Sequence, residues 1–492
     1  MKISYRILLI SLIVLLSCNS TFAVDKSTDI KSSAEKVAVQ KNMVLGLNDC
    51  LNIALQNSPE VKKYRYKYAI SKNDVGIAKS AYFPTLGIGA GYNYNGENST
   101  LYTMNDTTLD AEASINQLIW DFGKTHANIK MYKFNQIAAK YNFDNAVLNT
   151  VYAVEINYFG VLAARTNVDV ERANVQVNER NYQRIKAYFD EGIKSKIDLV
   201  NAEVNLSDAK IQLVTAEQTY QNAIVKLNNS MYIAYAPAYE IKNTEAFNFS
   251  KNFTPVSLQR ISETKDISKL PKDVGNAYLT VGVQKLDVLE NYKFKPFPYT
   301  FDESVDLAKK NRPDLKSYEA VKNAMDEELL VIKRQYYPKI SASAGYGYKD
   351  KYSASSYNAG VNLTSSVNIM QEKNEIDTGK LQIALAKNDI DQLEQNIYFD
   401  IQTLYINMKQ LEKQIPLVNV KVKQTLENFE LADGRYAVGL GDYIELQDAK
   451  VKYNNAQQSY VNTVYNYNVA RANLEKAIGL QQAVTANIED KK

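Results

Sequence analysis

From Phe83 onward the chain alternates apolar and polar positions with a period of two. Leu86, Ile88, Ala90, Tyr92 and Tyr94 are separated by mostly small or polar residues, and after a polar turn over residues 95–106 the pattern resumes at Leu109, Ala111, Ala113 and Ile115. Period two marks strands with one apolar face. It returns as Ile340, Ala342, Ala344, Tyr346 and Tyr348, and then as Tyr357, Ala359, Val361, Leu363, Ser365, Val367 and Ile369. Two hairpins are predicted, with strands about ten residues or more long, a length that suits a membrane β-barrel and that a half-buried soluble hairpin also permits. After each hairpin the period becomes helical: Met131, Phe134, Ile137, Tyr141, Val147 or Leu148, Val151, Val154, Tyr158 and Leu162 follow at spacings of three and four. Residues 127–188 read as one helix about 90 Å long, which has to pack lengthwise against others. Gly192 and Gly439 break the long helices and let a shorter helix return in each copy.

The same text is written twice. Ala54-Leu-Gln-Asn57-Ser-Pro59-Glu60 recurs as Ala308-Lys-Lys-Asn311-Arg-Pro313-Asp314, and Tyr82-Phe83-Pro84 recurs as Tyr336-Tyr337-Pro338, both at an offset of 254. Asp121-Phe-Gly123-Lys124 returns as Asp377-Thr-Gly379-Lys380, and the sequence around Gly192 returns around Gly439. Matches that hold register over such a stretch indicate an internal duplication. Each copy is expected to run helix, hairpin, long helix, return helix. The organisation is therefore a signal peptide over 1–23, a flexible segment over 24–43, a first repeat over 44–228, a connecting equatorial segment over 229–300, a second repeat over 301–480 and a polar tail over 481–492. The connecting segment holds Pro237, Pro255, Pro271, Pro296 and Pro298.

The N-terminus reads as a secretory signal: Lys2 and Arg6 precede about ten apolar residues, too few for a spanning helix. Two processing routes fit. Cleavage after Ala23 matches the small residues at −3 and −1 and fits better. Lipidation at Cys18 is the other, with Leu16 an unusual −2 residue for that motif. Cys50 is then the only remaining thiol on the first route and reads as a small apolar helix residue. No later run of about 20 apolar residues is present, so strands have to do any membrane crossing. Four strands cannot close a barrel, and open edges in lipid cost several kcal/mol per unpaired backbone group. Three chains would give twelve strands. The expected fold is mainly α with a membrane β-barrel portion: long antiparallel helices form an α-barrel tunnel below a trimeric 12-stranded barrel.

Composition narrows the function. The 492 residues include 36 Tyr but one Trp and one His, and the net charge of +3 offers nothing to a nucleic acid. With His126 the only His, a multi-His metal site within one chain is excluded. His126 reads as an ordinary helix-start residue, and Trp120 and Phe122 as interface aromatics or plain core. No phosphate-binding loop, nucleophile elbow or paired-cysteine motif occurs, so neither an enzyme nor a cofactor is indicated.

The repeated Asn-x-Pro motif, the two hairpins, the Asp-x-Gly-Lys exits and the glycine turns resemble the TolC family of outer-membrane efflux and secretion proteins. The resemblance runs from about Val44 to Leu480. It implies a homotrimer in outer-membrane lipid with a tunnel through the periplasm. It also implies a periplasmic adaptor and an inner-membrane pump of the resistance-nodulation-division (RND), ABC or major-facilitator (MFS) type, or a type I secretion system. By position in the family, Asp198, Tyr436, Glu445 and Asp448 fall at the gate. Glu445 and Asp448, three residues apart, would give a ring of up to six acids in a trimer. Family members often carry a basic residue two positions after the turn glycine. Gly441 stands there, so a clasp is missing and the gate is expected to rest on packing and on hydrogen bonds such as Asp198–Tyr436. Val438-Gly439-Leu440, and more weakly Gly192-Ile193, resemble the adaptor-docking tips. A non-transporting helical spacer is the alternative, and the duplicated strand alternation argues against it.

Overall fold

The computed structural model describes residue 39 and residues 41–98, 103–243, 296–349 and 354–480. The signal peptide, Cys18, Ala23, most of the connecting segment and the C-terminal tail lie outside the described residues.

Each copy opens with two helices where one was expected. In the first, α1 (Leu47–Asn57) stops at Ser58 and α2 (Pro59–Ser80) starts at once. Proline at the first helical position lacks the N–H that would extend α1, and the Ser58 hydroxyl accepts from Val61 N at 3.2 Å to cap α2. The second copy repeats this with α5 (Phe301–Asn311) and α6 (Pro313–Arg334). Between them lie β2 (Thr85–Asn98), β3 (Thr103–Trp120), α3 (Lys124–Asp190) and α4 (Lys196–Ser230); after them come β5 (Lys339–Lys349), β6 (Ala354–Thr364), α7 (Ile369–Ala437) and α8 (Tyr443–Ile478). The 67 residues of α3 and the 69 of α7 run for about 100 Å.

Three expectations are corrected. The first hairpin is longer than the apolar pattern, because β2 and β3 pair on through the polar residues to Asn98↔Thr103. Backbone pairing needs no apolar face once a hairpin stands in water. In the second copy the strand ends at Thr364, so Ser365, Val367 and Ile369 are not strand residues. The Asn368 side chain accepts from Gln371 N at 3.2 Å and starts α7 there. For the same reason Asp377-Thr-Gly379-Lys380 lies inside α7, whereas Asp121 does mark the exit of the first hairpin, accepting from Gly123 N at 3.1 Å and Thr125 N at 2.7 Å.

A short parallel pair, β1 (Val44–Leu45) with β4 (Glu240–Ile241), was not foreseen. It is clamped to α3: the fully buried Tyr158 donates to Leu45 O and Lys242 O, and Arg165 donates to Ile241 O at 2.8 Å. Val151, Val154, Tyr158 and Leu162 of α3 share a core with Tyr460, Val461 and Val464 of α8. One stretch of α3 is apolar enough to cross a bilayer by composition, yet 56% of it is buried inside the chain. Cys50 is fully buried, and burial pushes its thiol up to about 12, so it stays a thiol.

Candidate functional site: the two-faced sheet and the helix tips

The four long strands form one antiparallel sheet in the order β2-β3-β5-β6. Its register sorts side chains cleanly. Leu86, Ile115, Ala344 and Ala359 stand in one row, and Ile88, Ala113, Tyr346 and Tyr357 in the next, all on one face. The opposite face carries Gly87, Ser114, Gly345 and Asn358, then Gly89, Glu112, Gly347 and Ser356. The apolar face is exposed, Tyr357 to 89%, so nothing among the described residues covers it. The polar face has acids seated over glycines. A Cβ at Gly91 would meet Asp110 Oδ2 at 2.7 Å, and one at Gly89 would meet Glu112 at 3.1 Å. Asn93 donates to Asp110 at 2.8 Å. Both outer strands, β2 and β6, keep an edge with no partner among the described residues.

At the far end, α3 turns into α4 at Gly192 and α7 into α8 at Gly439, with φ of +73° and +78°. Neither glycine has an atom within 4 Å of where a Cβ would stand, so conformation and not space requires them. Ile193 N donates to Tyr188 O at 2.8 Å and Leu440 N to Arg435 O at 2.9 Å, closing the two turns alike. Ile193, Val438 and Leu440 project outward, Leu440 to 77%.

Tyr436 is buried at this level, between the Arg184 guanidinium at 5.2 Å and the Lys194 ammonium at 4.9 Å from its ring centre. Burial pushes its hydroxyl up to about 12, opposed by the Arg184 charge and helped by the Asp198 charge. The expected Asp198–Tyr436 hydrogen bond is not formed within the chain. Asp198 instead accepts from Ser195 N at 3.2 Å and Ser195 Oγ at 2.8 Å as part of a capping box, and the Tyr436 hydroxyl has no partner among the described residues. The acids are also not bare. Glu445 pairs with Arg435 at 3.2 Å and Asp448 with Lys452 at 2.6 Å. Gly441 packs where a Cβ would meet Tyr436 N at 2.9 Å, so no basic residue fits there; the cations come from helix positions instead.

The sequence model of the family described as "Outer membrane efflux protein" matches residues 50–231 and 304–480, the two copies in turn. The chain belongs to that family. Outer membrane protein TolC of Escherichia coli (strain K12) is 21% identical over 436 residues, covering 86% of this chain and 80% of that protein. Two solved structures share the fold. CusC superposes with a TM-score of 0.69 at 14% identity, covering 91% of this chain and 95% of that one. The Campylobacter jejuni CmeC outer membrane channel gives 0.68 at 16% identity, covering 90% and 88%.

This efflux-family chain also contains a polar seam that the sequence reading passed over. Glu171, Asn174, Asn178 and Asn181 of α3 face Gln447, Lys450, Asn454 and Gln457 of α8. Asn454 Nδ2 donates to Glu171 at 3.1 Å, Asn174 Nδ2 to Glu171 at 3.0 Å, and Asn178 Nδ2 to Asn174 at 3.0 Å. Lys450 donates to Asn178 and, at 3.2 Å, to Gln447. Burial pushes the Lys450 ammonium down to about 8. Both stripes step by three, four and three residues, the spacing of a helix core. That spacing was the available signal, but a search for apolar periodicity does not look for amides. Arg184, held by Asp433 at 3.0 Å, gave no sequence signal, because its partner lies on another helix.

Proposed function

We propose that this chain is one of three subunits of an outer-membrane duct for efflux or type I secretion. The duct would receive substrate from a periplasmic adaptor and an inner-membrane pump and release it outside. The two-faced sheet with open edges carries the reading. An apolar face of this height suits lipid, a glycine-and-polar face suits water, and the unpaired edges of β2 and β6 call for neighbouring chains. Apolar residues exposed at helical spacing agree with it: Val200, Val204, Ile211 and Val214 on α4 have no cover among the described residues. Native mass spectrometry of the detergent-extracted chain is expected to give three copies, and planar bilayers to show discrete channel steps. A monomer without conductance would overturn the reading.

Gate and docking roles belong to the same proposal. Tyr436 and Asp198, with Glu445 and Asp448 beside their cations, form the constriction at the tips of α4, α7 and α8. Gly192 and Gly439 shape the tips that present Ile193, Val438 and Leu440 to an adaptor. Leu440→Asp places a charge on an exposed apolar tip without touching a core. It should leave the trimer intact and weaken adaptor copurification by roughly tenfold or more. Unchanged copurification would remove Leu440 from the docking surface.

A further inference from the structure

Where the sheet gives way to helices, the apolar face ends in an open pocket of about 400 Å3 lined by Tyr82, Leu118, Trp120, Phe122, His126 and Arg334, among others. A register shift between Leu118 and Trp120 sets Trp120 opposite Ile340. That places Trp120 on the face that holds Ile88 and Tyr346. Trp120 meets Phe122 edge-on at 6.1 Å, and Phe122 meets Tyr337 edge-on at 6.0 Å. All three rings are about half exposed. Aromatic rings at the rim of an apolar band are placed where lipid headgroups begin.

Behind the rings sits a cation with donors to spare. Arg334 Nη1 donates to Gly123 O at 2.8 Å, which anchors the side chain. A Cβ at Gly123 would meet Nη1 at 2.9 Å, and Gly123 has a φ of +85°, so the glycine both makes the turn and leaves room for the guanidinium. The other N–H groups of Arg334 have no partner among the described residues. The acid nearby, Asp121, is taken by Gly123 N and Thr125 N and does not pair with Arg334. His126, the only histidine, is exposed on the same pocket. The pocket's strand residues come from β3, an inner strand.

We propose that this pocket holds the phosphate headgroup of a membrane phospholipid, with Arg334 and His126 on the phosphate and Tyr82, Trp120 and Phe122 against the glycerol and first acyl carbons. The inference rests on the reading that the sheet lies in a bilayer, whose apolar band reaches the level of the pocket through Ala342, Val361, Ile340 and Leu363, with polar Gln117 between Ile115 and Trp120 on β3. A guanidinium with free donors fits a phosphate by paired hydrogen bonds, and the rings exclude water around it. The site would fix how deep the barrel sits.

The test uses the intact, detergent-extracted assembly and native mass spectrometry with added phosphatidylglycerol. Wild type should retain the lipid, and Arg334→Gln should bind it roughly tenfold more weakly, the loss expected for a charged hydrogen-bond partner. Arg334→Lys, which keeps the charge but not the paired hydrogen bonds, should bind between wild type and Arg334→Gln, and His126→Gln should weaken binding in a protein whose backbone anchor is untouched. Diacylglycerol, which lacks the phosphate, should bind no better than phosphatidylglycerol binds to Arg334→Gln. Inorganic phosphate should not displace the lipid. Wild-type lipid retention by both Arg334→Gln and His126→Gln, equal binding of diacylglycerol, or displacement by inorganic phosphate would each overturn the proposal. Liposome flotation separates this from the parent reading: a chain that inserts but fails these arms loses only the lipid site, and one that never inserts loses both.

Discussion

Ala113→Arg should abolish assembly into the outer membrane, while Glu112→Arg, its immediate neighbour, should not. The two side chains leave β3 on opposite faces of the sheet. Ala113 stands in the row of Ile88, Tyr346 and Tyr357, near the middle of the apolar band. An arginine at bilayer depth costs about 2–4 kcal/mol, and threefold symmetry repeats the cost three times per barrel. The measurement is the yield of detergent-resistant trimer from outer-membrane fractions. Glu112 faces Gly89 and Gly347 across the polar side, where a longer side chain has room and water. Glu112→Arg is expected to assemble at wild-type yield and to move ion selectivity toward anions by reversing three charges on the wall. If both variants assembled equally, the assignment of the two faces would be wrong.

The second large effect is expected at the tips. Arg184 ties α3 to α7 through Asp433 and lies over the ring of Tyr436, with about a quarter of its side chain exposed. Arg184→Ala removes a partly buried charged hydrogen bond and a cation–π contact, about 1–2 kcal/mol per subunit. On the gate proposed above, that would shift a closed-to-open balance about tenfold for each subunit that moves independently, and further when the three move together. Single-channel recordings should show a higher open probability, and cells should admit large hydrophilic antibiotics that wild type excludes. Tyr436→Phe is the contrasting variant. Its hydroxyl has no partner among the described residues, so its loss should leave the closed state as it is. An open Tyr436→Phe channel would place a neighbouring chain's acceptor on that hydroxyl, and an unaltered Arg184→Ala channel would remove Arg184 from the gate.

Much of the scaffold was legible because it is written in local periods. Leu86 to Tyr94 alternate, Val147 to Leu162 step by three and four, and proline at 59 and 313 occupies the first helical position, where its missing N–H costs no helical hydrogen bond. The strand ends were less legible. Residues 95–98 and 103–106 look like a turn by polarity, yet they pair, because a ladder is held by backbone groups that composition does not report. The start of α7 was set by the Asn368 cap and not by the repeated Asp377-Thr-Gly379-Lys380.

The sequence by itself determined the duplication, the helix–hairpin–long helix–return helix order of each copy, the two faces of each hairpin and the glycines that reverse the long helices. Each of these depends on a residue and its near neighbours along the chain. Only the tertiary structure decided which partner each charge meets. Arg435 closes on Glu445, Arg184 on Asp433, Lys450 on Asn178, and Arg334 on the carbonyl of Gly123, across separations that no local period encodes. It also turned Asp198 from a partner of Tyr436 into the acceptor for its own helix's N-cap, Ser195, since a hydroxyl and an amide three residues away are always within reach and a tyrosine on another helix is not. Short-range hydrogen bonding is set by sequence; the pairing of charges between helices waits for the fold to bring them together.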